Sequence, residues 1–312
     1  MKTTAVVLRR PECLEVSSLE LVDAGEDDVV VGTEWSGIST GTERLLWQGT
    51  MPDFPGMGYP LVPGYESVGR VLDAGTRAGL CVGDRVLVPG ARCFGEVRGL
   101  FGGAASRQVV PGKRAIRVDE SLGERAVLLA LAATAHHALS AEAARAPDLI
   151  IGHGVLGRLL ARLAIGAGAP APVVWEVDPV RMAGAVDYSV RHPDADSRRD
   201  YRSIYDVSGD ACLLDTLIGR LGHGGEVVLA GFHSQALSFA FAPAFMREAR
   251  LRVASQWQEA DMAAVKALAE SGRLCLDGLI THRSRAGDAD HAYRTAFRDP
   301  ACLKMILDWR TT

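Results

Sequence analysis

No apolar run in this sequence reaches the roughly 18 residues that a membrane-spanning helix needs, so a helical membrane protein is not expected. Excess charge of either sign is missing as well: 34 Lys and Arg stand against 38 Asp and Glu, giving a net charge of -4 and a pI near 6.1. The Lys and Arg residues are scattered and form no basic stripe, which argues against nucleic acid as a partner. Paired cysteines are absent. The six present, Cys13, Cys81, Cys93, Cys212, Cys275 and Cys302, lie far apart with no C-x-x-C spacing, a usage that fits a reducing compartment and builds no metal framework. The first ten residues hold too short an apolar run for a signal peptide, so a cytoplasmic location is expected. No internal repeat or low-complexity segment occurs.

What remains is an ordinary globular composition, 48% hydrophobic and 23% charged over 312 residues, for which two domains are the default. The most informative stretch is Asp148-Leu149-Ile150-Ile151-Gly152-His153-Gly154-Val155-Leu156-Gly157, a short apolar strand entering G-x-G-x-x-G and then a helix. Leu159, Leu160, Leu163 and Ala164 recur at helical spacing, with Arg158 and Arg162 off that stripe. Gly152 permits the tight turn, Gly154 lets backbone approach a pyrophosphate, and Gly157 allows close packing of helix on sheet. The free N–H groups at the helix start, from Val155 and Leu156 onward, then meet the phosphates. A second strand, Pro172-Val173-Val174-Trp175, ends at Glu176, about 20 residues past the glycines, where this motif places an acid for the ribose hydroxyls. A nicotinamide dinucleotide is therefore expected, and the acid favours NAD. Arg181, five residues on, stacks on the adenine or pairs with a 2′-phosphate.

Residues 1 to about 110 read as short strands at 4–8, 28–33, 66–72 and 85–88 between Gly-, Pro- and Asp-rich segments. Two loops there, 35–43 and 54–66, concentrate hydroxyls, acids and aromatics in the way chemistry-bearing loops do. From 121 to 145 the pattern is helical until Ala146-Pro147 breaks it. Strands expected at 203–207, 226–230 and 251–254 alternate with helices around 212–221 and 259–271, which implies a doubly wound parallel sheet. Its carboxyl-end loops, Ser208-Gly209 and Gly231-Phe232-His233, are expected to face the cofactor. The stretch from 279 to 309 reads only as a tail.

Taken together these pieces resemble the medium-chain dehydrogenase/reductase superfamily. Gly83-Asp84-Arg85-Val86, Ala133-Thr134-Ala135-His136-His137-Ala138-Leu139, Ser271-Gly272-Arg273-Leu274 and Cys302-Leu303-Lys304-Met305-Ile306 match its markers in order. The resemblance implies an α/β protein: a β-rich GroES-like catalytic domain at 1–118 and 256–312, and a Rossmann domain with a doubly wound parallel sheet at 119–255. Thr134 joins the cofactor-binding set on the same ground. Zinc-dependent members carry Cys and His where this chain has Thr40 and Tyr65, and the closely spaced cysteines of their second zinc are reduced to Cys93. One remaining carboxylate cannot supply the three ligands a catalytic zinc requires. No metal is expected.

Three longer strings, Ser-Gly-Ile-Ser-Thr-Gly-Thr-Glu at 36–43, the Pro-Gly-Tyr-Glu loop at 54–66 and Leu-Ile-Ile-Gly-His-Gly-Val-Leu-Gly at 149–157, resemble the branch of the superfamily that oxidises bacteriochlorophyllides in phototrophic bacteria. That implies a tetrapyrrole substrate, oxidation of its ring A hydroxyethyl group to acetyl, and NAD as oxidant. It also admits a homodimer. Without zinc, side chains must take the hydroxyl proton, and Thr42, Tyr65 and Glu66 form the expected relay. The bland alternative pairs Glu66 with an arginine and leaves Tyr65 filling the space of the lost metal. His136, His137 and His153 are weaker bases, the second because its family position is structural and the third because it lies in the glycine turn. A flat macrocycle needs a wide aromatic wall, for which Trp35, Trp47, Phe54, Met57, Tyr59 and Tyr65 are the candidates, unless the two tryptophans are core residues. Two other readings share the skeleton: a zinc-free quinone or enoyl reductase, which would favour NADPH, and a non-catalytic dinucleotide sensor.

Overall fold

The computed structural model describes every residue but Phe54 and Thr312. The chain forms two compact units, Met1–Ala130 with Leu276–Thr312, and Leu131–Cys275. These divisions fall later than the 118/119 and 255/256 boundaries expected from the sequence, for reasons visible in each unit. The 3-10 segment Glu120–Leu128 is tied into the first unit by Arg70 and Arg85, both paired with Glu120. The helix Glu259–Glu270 belongs to the second, where Asp261 accepts hydrogen bonds from His136 and His137.

The first unit is β-rich, in keeping with its Val-rich runs separated by Gly- and Pro-bearing turns. A seven-stranded sheet runs His282–Arg285, Met305–Asp308, Asp28–Ile38, Ser67–Ala74, Arg85–Val88, Ile116–Arg117, with Arg107–Pro111 pairing off Asp28–Ile38. A four-stranded sheet has the order Cys13–Glu20, Lys2–Arg10, Leu61–Val62, Arg98–Gly99. Val6, Leu8, Val31, Ile38, Leu46, Phe94, Tyr293, Phe297 and Trp309 share one core. Burial inside that core is why 279–309 is not a tail. Its helix Ala289–Arg298 buries Ala289, Ala292, Tyr293, Ala296 and Phe297 on one face, and its strand Met305–Asp308 pairs antiparallel with Asp28–Ile38. The strand Cys13–Glu20, also unforeseen, is a hairpin partner of Lys2–Arg10, with Glu12 in the left-handed region at the turn.

The second unit is the expected doubly wound sheet. Six parallel strands lie in the order Ser189–Arg191, Val173–Trp175, Leu149–Ile151, Tyr201–Asp206, Leu221–Leu229, Arg250–Val253. The direction of winding reverses between Leu149–Ile151 and Tyr201–Asp206, the place where such sheets open a ligand crevice. Helix Val155–Gly166 buries Val155, Leu159, Leu160, Leu163 and Ala164, as its spacing dictates. It also buries Arg158, which the sequence pattern had placed off the apolar stripe. Arg158 donates to the carbonyls of His153, Arg181, Ala183 and Gly184, holding 176–188 in turns where the usual crossover helix is missing. No helix among the described residues is long and apolar enough to cross a membrane.

Candidate active site

In the first unit the chain leaves strand Asp28–Ile38, passes Ser39 and Thr40, and turns at Gly41 into the short helix Thr42–Gln48. Gly41 offers no side-chain cap. The role of anchoring this turn falls to Glu43, whose carboxylate folds back to accept the Ser39 backbone N–H at 2.9 Å and the Tyr293 hydroxyl at 2.6 Å. Glu43 is 1% exposed, and burial pushes its carboxyl up to about 7. Beside it the Tyr65 hydroxyl donates to Ser39 Oγ at 2.8 Å, and Thr42 also reaches Tyr65. Ser39, Thr42 and Tyr65 thus make one hydroxyl cluster, backed through Ser39 by Glu43. Burial, with Glu66 beside it, raises the Tyr65 phenol well above its ordinary value, so Tyr65 is a donor and a poor base.

Glu66 does not join that cluster. Its two oxygens lie 2.9 and 2.7 Å from Lys304 Nζ, which also donates to the Ile38 carbonyl at 3.2 Å, and both residues are buried. Both carboxylate oxygens are thus engaged by a buried ammonium and turned away from the hydroxyl cluster's hydrogen bonds. Of the two readings of Glu66, relay acid or buried ion-pair partner, the geometry matches the second, with a lysine in place of the anticipated arginine. Glu43 is the acid that sequence reasoning missed. An acid in the first turn of a helix ordinarily reads as dipole compensation, and nothing in the string announces its burial.

Of the expected aromatic wall, Trp35 and Trp47 are core residues. Trp35 lies in a strand beneath the guanidinium groups of Arg85 and Arg310, and Trp47 packs on Phe297. Both rings are buried, which favours the core reading for the two tryptophans. Met57 and Tyr59 are half-buried, Tyr59 donating to the Leu46 carbonyl, while Tyr65 meets Phe101 edge-on at 5.4 Å. Phe54 lies outside the described residues.

The second unit holds the dinucleotide half. Gly152 has a φ of 99°, and a Cβ on Gly157 would fall 2.0 Å from the Gly152 carbonyl oxygen, so both positions require glycine. A Cβ on Gly154 would meet nothing within 4 Å, and helix Val155–Gly166 begins there with no side-chain cap. Its first N–H groups are left for an anion. Glu176 is pinned by three backbone amides: Oε2 accepts from His153, and Oε1 from Val177 and Asp178. His153 is fully buried, its Nδ1 against the Arg181 carbonyl and its Nε2 against the Tyr188 hydroxyl. Burial lowers its pKa to about 4, which keeps it neutral and structural. His136 and His137 both clamp Asp261 and are not free bases. Thr134 lies half-buried on helix Leu129–Leu139, and Arg181 half-buried in the 176–188 turns. Ser208 donates from both N and Oγ to Asp206, Gly231 donates its N–H to the Asp206 carbonyl, and Phe232 is half exposed. These residues fit a dinucleotide: a glycine cradle, an open helix start and an anchored acid. Among the described residues no group of three or more His, Cys, Asp and Glu could hold a metal ion.

Comparison with known proteins agrees with both halves. Residues 25–120 match the alcohol dehydrogenase GroES-like domain. The chain is 57% identical to the 2-desacetyl-2-hydroxyethyl bacteriochlorophyllide A dehydrogenase of Rhodobacter capsulatus, over 99% of both chains. It is 56% identical to the protein of the same name from Cereibacter sphaeroides, over the whole of both. Among solved structures, 2R,3R-butanediol dehydrogenase from Bacillus subtilis superposes with a TM-score of 0.84 over 99% of both chains at 18% identity, which speaks to the fold.

Proposed function

The chain belongs to the family of the 2-desacetyl-2-hydroxyethyl bacteriochlorophyllide A dehydrogenases, within the medium-chain dehydrogenases/reductases, and from that premise we propose that it oxidises the ring A hydroxyethyl group of a bacteriochlorophyllide to acetyl with NAD. The observation that carries this reading is 57% identity maintained from end to end. Oxidising a secondary alcohol removes a hydride from carbon and a proton from oxygen, so the products are a ketone, the reduced dinucleotide and one proton. The bound dinucleotide supplies the hydride acceptor.

The protein's own residues have the proton to manage. Thr42 and Tyr65 offer hydroxyls to the substrate oxygen, and Ser39 accepts from Tyr65. Glu43, with its carboxyl near 7, is the group in this neighbourhood poised to exchange a proton at neutral pH. Glu66 and Lys304 fix the polar floor beside it. Met57, Tyr59 and Phe54 are the remaining candidates for contact with the macrocycle.

The test is direct. Purified protein incubated with hydroxyethyl bacteriochlorophyllide and NAD should yield the red-shifted acetyl pigment and one NADH per pigment. A protein that binds NADH yet leaves the pigment unchanged, while reducing a quinone or an enoyl compound with NADPH, would instead be the reductase with the same skeleton.

Two expectations accompany this reading. Glu176, held by three amides, presents fixed negative charge to the adenosine ribose and repels a 2′-phosphate. The ratio kcat/KM should favour NAD over NADP by at least about tenfold, equivalent to ~1.4 kcal/mol, and equal ratios would contradict it. Thr40 and Tyr65 stand where a zinc site would need its Cys and His, so prolonged dialysis against a strong chelator should leave activity unchanged. Activity lost to the chelator and restored by zinc alone would contradict that.

A further inference from the structure

Strands Tyr201–Asp206 and Leu221–Leu229 end side by side, Asp206 opposite Leu229, at the carboxyl edge of the parallel sheet. The chain leaves the second strand sharply. The N–H groups of Ala230 and Gly231 both bond the Asp206 carbonyl, and a Cβ on Gly231 would sit 3.0 Å from Val207 Cα. A Cβ on Gly209, whose φ is 74°, would in turn come 3.1 Å from the Phe232 carbonyl oxygen. Two loops are thereby locked against each other, and they hold His233 in place. Its side chain is 8% exposed and sits with Nε2 3.9 Å from Asp206 Oδ2. Neither ring nitrogen has a hydrogen-bond partner among the described residues. The Asp206 carboxylate, also buried, spends its other oxygen on the N–H and hydroxyl of Ser208.

A buried imidazole with both nitrogens unmet is costly and therefore rare. Its location explains it. The loop carrying Ser208 lies against the glycine turn, with Ser208 Cα 3.6 Å from where a Cβ on Gly152 would stand. Glu176 and the glycine turn account for the adenosine ribose and the diphosphate on one side of the switch point. The loops at 207–209 and 230–233 stand on the other side, where the second half of the dinucleotide runs.

We propose that His233, whose Nε2 faces Asp206 at 3.9 Å, is a binding residue for the nicotinamide half of the dinucleotide, its Nδ1 accepting a hydrogen bond from a ribose hydroxyl or from the carboxamide. The proposal rests on the dinucleotide reading above and adds to it a side chain that closes the nicotinamide end of the site. Asp206 is the acid nearest the ring, and its place beside Nε2 favours the proton on that nitrogen, which leaves Nδ1 as an acceptor.

The test uses the intact protein and two probes, NADH followed by its fluorescence and AMP by calorimetry. His233→Leu should raise the Kd for NADH about tenfold while leaving that for AMP, which has no nicotinamide half, within twofold of wild type. His233→Gln, which keeps an acceptor, should recover part of the NADH affinity. An unchanged Kd for NADH in His233→Leu overturns the proposal, and so does equal weakening of NADH and AMP, which would make His233 a packing residue of the loops. Failure of the wild-type protein to bind either probe would overturn the dinucleotide reading itself, a result distinguishable from both.

Discussion

Replacing Lys304 by Met is expected to destabilise the first unit by about 3–5 kcal/mol, the cost of leaving a buried carboxylate without its counter-charge. Lys304 and Glu66 are each at most 1% exposed, and Nζ contacts both carboxylate oxygens and the Ile38 carbonyl. In Lys304→Met the Glu66 carboxylate would face Gly37 and the aliphatic core with no donor supplied by the strand Met305–Asp308. Ionised, it would pay the desolvation without the attraction; protonated, it would shift the cost to neutral pH, where folding must then bind a proton. A fall in the unfolding temperature of roughly 10 °C should follow, measurable by calorimetry at pH 7. The double variant Glu66→Gln with Lys304→Met should regain most of that loss, because replacing both members of a buried pair removes the unpaired charge. A single variant as stable as wild type would show that water reaches Glu66 and that the pair is not the closed structure described.

This pair also shows where the sequence stops being readable. The glycine turn, its strand, its helix and Glu176 are local in sequence, within 30 residues, and each could be placed from spacing alone because backbone geometry enforces the spacing. The parallel sheet followed from alternation of strand and helix in the same way. Glu66 and Lys304 are 238 residues apart, and their meeting depends on how the last strand joins a sheet begun by residue 28. Local pattern carries no information on that pairing, so Glu66 read equally as a relay acid or as the partner of an arginine. Arg158 misled for a related reason. Arginine off an apolar stripe ordinarily points to solvent, but here the turns at 181–184 arrive with unmet carbonyls and enclose it. The two tryptophans read first as pocket wall with the core as the alternative, since nothing local distinguishes an indole facing a pocket from one facing a core. His233 was marked only by its place in a loop at the carboxyl edge of the sheet. Its isolation from protein partners emerges from three-dimensional packing alone.

Replacing Glu43 by Gln should move stability and activity in opposite directions. Burial raises the Glu43 carboxyl from its ordinary 4.5 to about 7, so the folded protein prefers it protonated. A raised folded-state value means that its contribution is fully present below pH 4.5, declines between 4.5 and 7, and above 7 has become a cost on the order of 3 kcal/mol, at about 1.4 kcal/mol per pKa unit. Glutamine is neutral at every pH and keeps an oxygen for the Ser39 N–H and an amide that can donate to Tyr293. Glu43→Gln should accordingly match wild type in unfolding free energy near pH 4 and exceed it at pH 8.5. Activity should fall by roughly 100-fold, the lower range for losing one acid–base group. The signature lies in the pH profile of kcat/KM for alcohol oxidation: it should rise through an apparent pKa near 7 in wild type, as the Glu43 carboxyl beside the hydroxyl cluster ionises and becomes able to accept a proton, and that limb should vanish in the variant. A residue that merely braced the helix Thr42–Gln48 would lower activity at all pH values and leave the limb in place. Were the limb to survive in Glu43→Gln, the titrating group would lie outside this cluster and Glu43 would be a structural acid only.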